Sequence, residues 1–210
     1  MSKVAIIPAR GGSKRIPRKN IKDFLGKPII AYSIRAALES NLFDEVMVST
    51  DDEEIAEIAK SFGASVPFLR SGKNADDHAT TIDVIAEVIA DYSKIGKHFS
   101  HGCCIYPSAP FTSADRLVTF FEKLEEGNFD CVFPVLKYGY PIQRALRMDE
   151  NKKVSMLHPE HLITRSQDLE TTYHDAGQFY VFNVNALVSE HKLWTDNTAS
   201  LVIDEMSAQD

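Results

Sequence analysis

The chain has little cysteine, one tryptophan, no long hydrophobic run and no excess of basic charge. Its three cysteines, Cys103, Cys104 and Cys131, sit among 210 residues. That is too few for a disulfide scaffold. Cys103 and Cys104 are adjacent and cannot easily pair. All three lie in apolar runs, so they read as reduced core residues of a cytoplasmic protein. No C-x-x-C or H-E-x-x-H spacing occurs. The pair in His158-Pro159-Glu160-His161 encloses a proline and falls short of the ligands a zinc site needs. No apolar run approaches the roughly 18–20 residues of a membrane span. The opening run Val4-Ala5-Ile6-Ile7 is too short for a signal-peptide core. A Walker A loop is absent, and so is any G-x-G, which removes the dinucleotide fingerprint. With 23 basic and 30 acidic side chains the formal net charge is −7. A nucleic-acid-binding surface is therefore not expected.

What is present fits one α/β domain over residues 1–210. Hydrophobic residues make up 44% and charged residues 25%, ordinary proportions for a globular chain. Short apolar runs alternate with amphipathic stretches. Strands are predicted at Val4–Ile7, Glu45–Thr50, Ser65–Leu69, Gly102–Tyr106 and Cys131–Val135. Between them, helices are predicted over Pro28–Leu38, after Asp51 or Asp52, from Thr80 or Thr81, and after Ser113. The third of these carries a stripe of Ile82, Ile85, Ala86 and Ile89. This order predicts a doubly wound, mostly parallel, Rossmann-like sheet. The rhythm breaks over residues 137–175, which read as a lid or dimerisation arm. It resumes with a strand at Gln178–Phe182, a helix at Asn185–His191 and a strand at Ser200–Ile203. A C-terminal helix is missing from the pattern.

Ligands of such sheets bind beyond the carboxyl ends of the strands. The segment there after the first strand is the most informative. Arg10, Lys14, Arg15, Arg18, Lys19 and Lys22 precede the next acid, Asp23. Gly11 and Gly12 let the backbone approach a ligand and offer amide donors. Arg10 and Lys14 add a forked and a mobile cation. A basic island in an acidic protein suits an oligophosphate. A second segment joins Arg70 to Asp76-Asp77-His78-Ala79-Thr80-Thr81 at a predicted helix start. A third gathers Arg144, Arg147, Arg165, His158, His161 and His174, which suits an anionic co-substrate or a polar interface.

These residues resemble a known family. Pro8-Ala9-Arg10-Gly11-Gly12-Ser13-Lys14-Arg15-Ile16-Pro17-Arg18-Lys19-Asn20 looks like the opening signature of the CMP-sugar synthetases, the acylneuraminate cytidylyltransferases. Val48-Ser49-Thr50-Asp51, Arg70, Asp77 and Pro107-Ser108-Ala109-Pro110 follow at that family's spacing. Tyr140–Leu146, His158–His161, Thr164–Glu170 and Tyr173–Tyr180 resemble its branch acting on pseudaminic acid. The resemblance implies a nucleotide-diphospho-sugar transferase-like fold, a homodimer, and two substrates, CTP and a nonulosonic acid. It implies that Arg10 and Lys14 serve catalysis. Ala9, Arg10, Gly11, Gly12, Ser13, Lys14, Asn20, Arg70, Asp77, Ala79 and Thr81 would bind CTP. Tyr106, Gln143, Arg144, Arg165, Asp175 and Gln178 would bind the sugar. Tyr106 stands where sialic-acid members carry a glutamine. The family holds Mg²⁺ with an Asp-x-Asp pair, and Asp210 resembles its first member.

Three alternatives stay open at this level. The sugar could be a sialic, legionaminic or 3-deoxy-manno-octulosonic acid. The same fold could activate sugar-1-phosphates with other nucleotides. A non-catalytic nucleotide-binding regulator would share the loop without the reaction.

Overall fold

The computed structural model describes residues 2–14, 16–76 and 78–208. Strand β1 spans Lys3–Pro8. A short hairpin of β2, Asp23–Phe24, and β3, Lys27–Pro28, leads into helix α1, Ile30–Glu39. Strand β4, Glu45–Ser49, and helix α2, Glu53–Ser61, follow, then helix α3, Thr81–Lys94, and strand β5, His101–Ile105. Helix α4 covers Ala114–Glu126 and strand β6 Cys131–Lys137. The arm contributes a second hairpin, β7 at Leu146–Met148 and β8 at Val154–Met156. The chain closes with β9 at Tyr173–Asp175, β10 at Phe179–Asn183, α5 at Val184–Glu190 and β11 at Thr198–Val202.

The central sheet runs β11-β6-β10-β5-β1-β4, with β9 also on β6. β4, β1 and β5 are parallel neighbours, and so are β11 and β6. β10 runs antiparallel between β5 and β6, and β9 is antiparallel to β6. The doubly wound α/β class is therefore built on a mixed sheet. Alternation along β1 shows the layers. Ala5 and Ile7 face a core with Ile34 of α1 and Leu117, Phe120 and Phe121 of α4. Val4 and Ile6 face the other core, with Ile82 and Ile85 of α3 and Leu187 of α5.

Three sequence expectations are corrected. Ser65–Leu69 is not a strand. Only Ser65 bridges to Met47, and Pro67 lacks the N–H a ladder needs. Pro28 does not open α1; it pairs with Asp23 in the preceding hairpin. In α3, Val84 and Val88 are buried with Ile82 and Ile85, whereas Ala86 is only half-buried. Other expectations hold. Asp52 caps α2 by accepting from the Ile55 amide at 3.0 Å. Ser113 caps α4 in the same way. All three cysteines are free and buried. No helix among the described residues is long and apolar enough to cross a membrane.

Helix α3 starts with a reciprocal cap. The Asp83 amide donates to Thr80 Oγ1 at 3.3 Å, and the Thr80 amide donates to Asp83 Oδ2 at 2.9 Å. The Thr80 hydroxyl and His191 also bond this carboxylate and, with the Thr80 amide, hold its pKa down at about 2. The folded pKa is thus below the ordinary carboxylate value. Its contribution is full above pH ~4 and is lost as the pH falls towards 2. Asp83→Ala should cost about 1 kcal/mol at pH 7. In urea titrations the gap from wild type should narrow below pH ~4; a constant gap would contradict this cap.

Candidate functional site

β4, β1 and β5 are parallel, so their carboxyl ends share one edge of the sheet. A cleft of about 920 Å³ opens there. That lies near the top of the roughly 300–1,000 Å³ usual for small-molecule sites, with room for more than a nucleotide base. Arg10, Ser13, Lys14, Asn20, Arg70, Ala79, Thr81 and Tyr106 all line it. Eight sequence-predicted residues, spread over almost a hundred positions, are thus brought together.

The basic segment after β1 is held from below by two acids at the end of β4. Asp51 Oδ1 accepts from the Gly11 amide at 2.9 Å. Arg18, in the left-handed region at φ 56, reaches both Asp52 and Glu54. That pairing draws the Asp52 carboxyl below its usual range and raises the guanidinium. Asn20 is buried and donates to the Arg10 carbonyl at 3.0 Å, which closes the loop. Arg10 in turn donates from Nη1 to the Asp76 carbonyl at 2.8 Å. Part of the basic island is therefore a clasp, and another part faces the cleft.

The two glycines divide in the same way. Gly11 does not offer its amide to a ligand, because Asp51 already accepts it. A Cβ there would lie 2.7 Å from Asp52 Oδ2. Gly12 faces open space, with nothing within 4 Å of a built Cβ. Ala9 is buried and donates to the Ser49 carbonyl at 2.9 Å, extending the β1–β4 ladder. None of these three lines the cleft.

Arg70 is buried and lines the same cleft. Its Nε donates to Ser49 Oγ at 3.0 Å and its Nη2 to the Ser49 carbonyl. Burial lowers its pKa, and Asp51 nearby opposes that shift. An arginine remains protonated throughout. Asp76 folds its own loop by accepting from the His78 and Ala79 amides at 2.8 and 2.9 Å. Thr81 and Tyr106 meet hydroxyl to hydroxyl at 3.2 Å.

The remaining predicted residues lie elsewhere. Gln143 donates to the Glu170 carbonyl and Arg144 to the Thr164 carbonyl, both within the arm. Arg165 is exposed on the arm. The Gln178 amide is committed to the Ser207 carbonyl at 2.6 Å and to Arg116 at 3.1 Å. Asp175 binds Gly177 and Tyr180. Asp77 and Asp210 lie outside the described residues. Sequence reasoning did not assign Asn74, Asp76, Ser108 or Gly177, which also line the cleft. The Asp-x-His-Ala spacing of an Asx turn was the available signal for Asp76.

The packing of Gly11 on Asp52 yields a direct check. Gly11→Ala must displace a carboxylate that caps α2 and holds Arg18, so a loss of about 1–3 kcal/mol in urea unfolding is expected. Gly12→Ala should change stability by less than about 0.5 kcal/mol. Equal losses would contradict the clasp.

Comparison with known proteins agrees with this geometry. The cytidylyltransferase family model matches residues 4–200. A pseudaminic acid cytidylyltransferase from Campylobacter jejuni is 44% identical over 97% of this chain and 88% of its own length. A Helicobacter pylori protein that joins pseudaminic acid cytidylyltransferase to a hydrolase is 36% identical over all of this chain and 40% of its own. Among solved structures, a CMP:2-keto-3-deoxy-manno-octonic acid synthetase with CTP superposes with TM-score 0.71, covering 97% of this chain and 91% of that one. Its 16% identity establishes a shared fold. With its sheet, its clasped basic loop and the match along nearly its whole length, the chain belongs to the cytidylyltransferase family.

Proposed function

We propose that this chain transfers the cytidylyl group of CTP to pseudaminic acid, giving CMP-pseudaminic acid and pyrophosphate. One observation carries the reading: the clasped basic loop, Arg70 and the start of α3 converge on a single cleft. The similarity to pseudaminic acid cytidylyltransferases at 44% identity supports the choice of sugar. In this reading Arg10, Ser13 and Lys14 take the triphosphate. Asn20, Arg70, Ala79 and Thr81 frame the cytidine, and Tyr106 meets the sugar acid. Ala9, Gly11 and Gly12 serve as backbone for that loop.

The sugar's anomeric hydroxyl attacks the α-phosphorus in line with the bond to the β-phosphate. A phosphorus–oxygen bond forms as that bond breaks. Pyrophosphate carries away the bonding pair, and the hydroxyl proton is lost to solvent. Such a reaction needs alignment and charge neutralisation more than covalent help from the protein. Arg10 and Lys14 stabilise charge growing on the leaving group.

Mg²⁺ belongs to the proposal through the chemistry of a triphosphate. The described residues do not by themselves build its site. No cluster of three metal-binding side chains occurs among them. The acids beneath the loop are engaged, Asp51 by Gly11 and Asp52 by Arg18. Asp210, which the family resemblance offers as a metal ligand, lies outside the described residues.

The arm fits a homodimer interface. Ten of the twenty exposed large apolar side chains among the described residues lie between Tyr138 and Tyr173. Ile163 is 92% exposed and Leu162 66%. Such a concentration marks a surface meant to be covered. Gln143, Arg144 and Arg165 do not line the cleft of their own chain. In a dimer they would reach the partner's site. The three buried thiols, with Cys104 pushed up to about 12 by burial, fit a cytoplasmic enzyme that keeps them reduced.

Two measurements check this reading. With CTP, Mg²⁺ and pseudaminic acid, mass spectrometry should show CMP-pseudaminic acid, and Lys14→Ala should lower turnover at least about 100-fold with the fold intact. Faster product from sialic, legionaminic or 3-deoxy-manno-octulosonic acid would reassign the sugar. In light scattering the wild type should be a dimer, and Ile163→Glu with Leu146→Glu should shift it to a monomer. A monomeric wild type would end the dimer assignment.

A further inference from the structure

We infer that Asp175 is a positioning residue for the sugar side of the cleft, acting through Tyr180 and the Gly177 amide. This rests on the proposed function and replaces direct sugar contact by Asp175 with an indirect role. Asp175 ends β9, opposite Val135 of β6. Its two carboxylate oxygens are divided between two partners. Oδ1 accepts from the Gly177 amide at 2.8 Å, and Oδ2 accepts from the Tyr180 hydroxyl. Asp175 does not line the cleft, but Gly177 does.

The second branch reaches the cleft by one more step. Tyr180 is 4% exposed. Its ring meets Tyr106 edge to face, with centroids 5.7 Å apart and planes at 77°. Phe133 supports it from another side at 5.4 Å. Tyr106 lines the cleft, and its hydroxyl lies 3.2 Å from Thr81 Oγ1 in the first turn of α3. The Tyr106 amide donates to the Gln178 carbonyl at 2.9 Å, which locks the same turn to the end of β5. Both branches from Asp175 thus end on the cleft wall at Tyr106 and Gly177.

The charge matters as well as the shape. An ionised carboxylate only accepts, so Tyr180 must donate to it. Burial raises both tyrosines, which keeps the phenols protonated over the working range. Without the carboxylate, the buried Tyr180 hydroxyl would lose the acceptor it donates to and turn towards the Tyr106 hydroxyl, its other side-chain partner. An edge-to-face pairing passes that rotation on to Tyr106. Sugar acids that differ at one substituent are separated by small changes in such a wall.

The test uses Asp175→Ala, Tyr180→Phe and the double variant in the full chain. Each single change should raise the KM for pseudaminic acid about tenfold, and the double should be no worse than either, because the two residues act as one unit. The Kd for CTP should stay unchanged. Three kinetic outcomes overturn the inference: a Tyr180→Phe variant with normal KM beside an impaired Asp175→Ala, effects that multiply in the double, or a parallel loss of CTP affinity. A ligand-free crystal structure of Asp175→Ala gives a reading that does not depend on the sugar. It should show the Tyr106 hydroxyl moved out of hydrogen-bond range of Thr81, and an unmoved Tyr106 overturns the inference. A wild type that ignores pseudaminic acid would defeat the proposed function and leave this structural reading decisive.

Discussion

The site depends on a clasp between neighbouring acids and a strongly basic loop. Six cations between Arg10 and Lys22 repel one another and do not fold on their own account. Asp51 and Asp52 resolve this at the end of β4. One takes the Gly11 amide, and the other takes the Arg18 guanidinium while capping α2. The loop's direction is therefore set by the register of β1 against β4, where Pro8 pairs with Ser49. Once that edge is fixed, Arg10, Ser13 and Lys14 line the cleft.

The opposite wall is built by the same kind of bond. Arg70 is held on Ser49, the last residue of β4, and Asp76 turns its own loop through two backbone amides. Thr80 and Asp83 then start α3 beside them. The cleft is thus closed by side chains that satisfy backbone groups near strand ends and helix starts. A parallel sheet provides such groups along one edge, and a nucleotide-binding site can use them.

Much of this was legible in the sequence, for physical reasons. β1 and β6 are continuous apolar runs, as buried strands must be, and α4 shows its buried face plainly as Leu117, Phe120, Phe121 and Leu124. The basic loop was visible because nothing else in an acidic chain resembles it. What failed depended on distant neighbours. Pro67 ended a strand whose apolar run otherwise looked complete, and Pro28 belongs to a hairpin no period reveals. Gly11 and Gly12 look alike on paper, yet only one packs on Asp52. Gln178 and Asp175 stand in a motif beside the site, but their side chains bond within the protein. Arg18 reads as one more cation of the basic island until Asp52 and Glu54 are seen to hold it. The arm has no period because its apolar residues face outward.

The central claim is that the clasped loop holds the triphosphate. A crystal structure with CTP tests it most directly. The β- and γ-phosphates should lie within hydrogen-bond distance of Arg10, Ser13 and Lys14, with the cytosine towards Arg70 and Thr81. A triphosphate bound elsewhere, with this loop unchanged and facing solvent, would contradict the account.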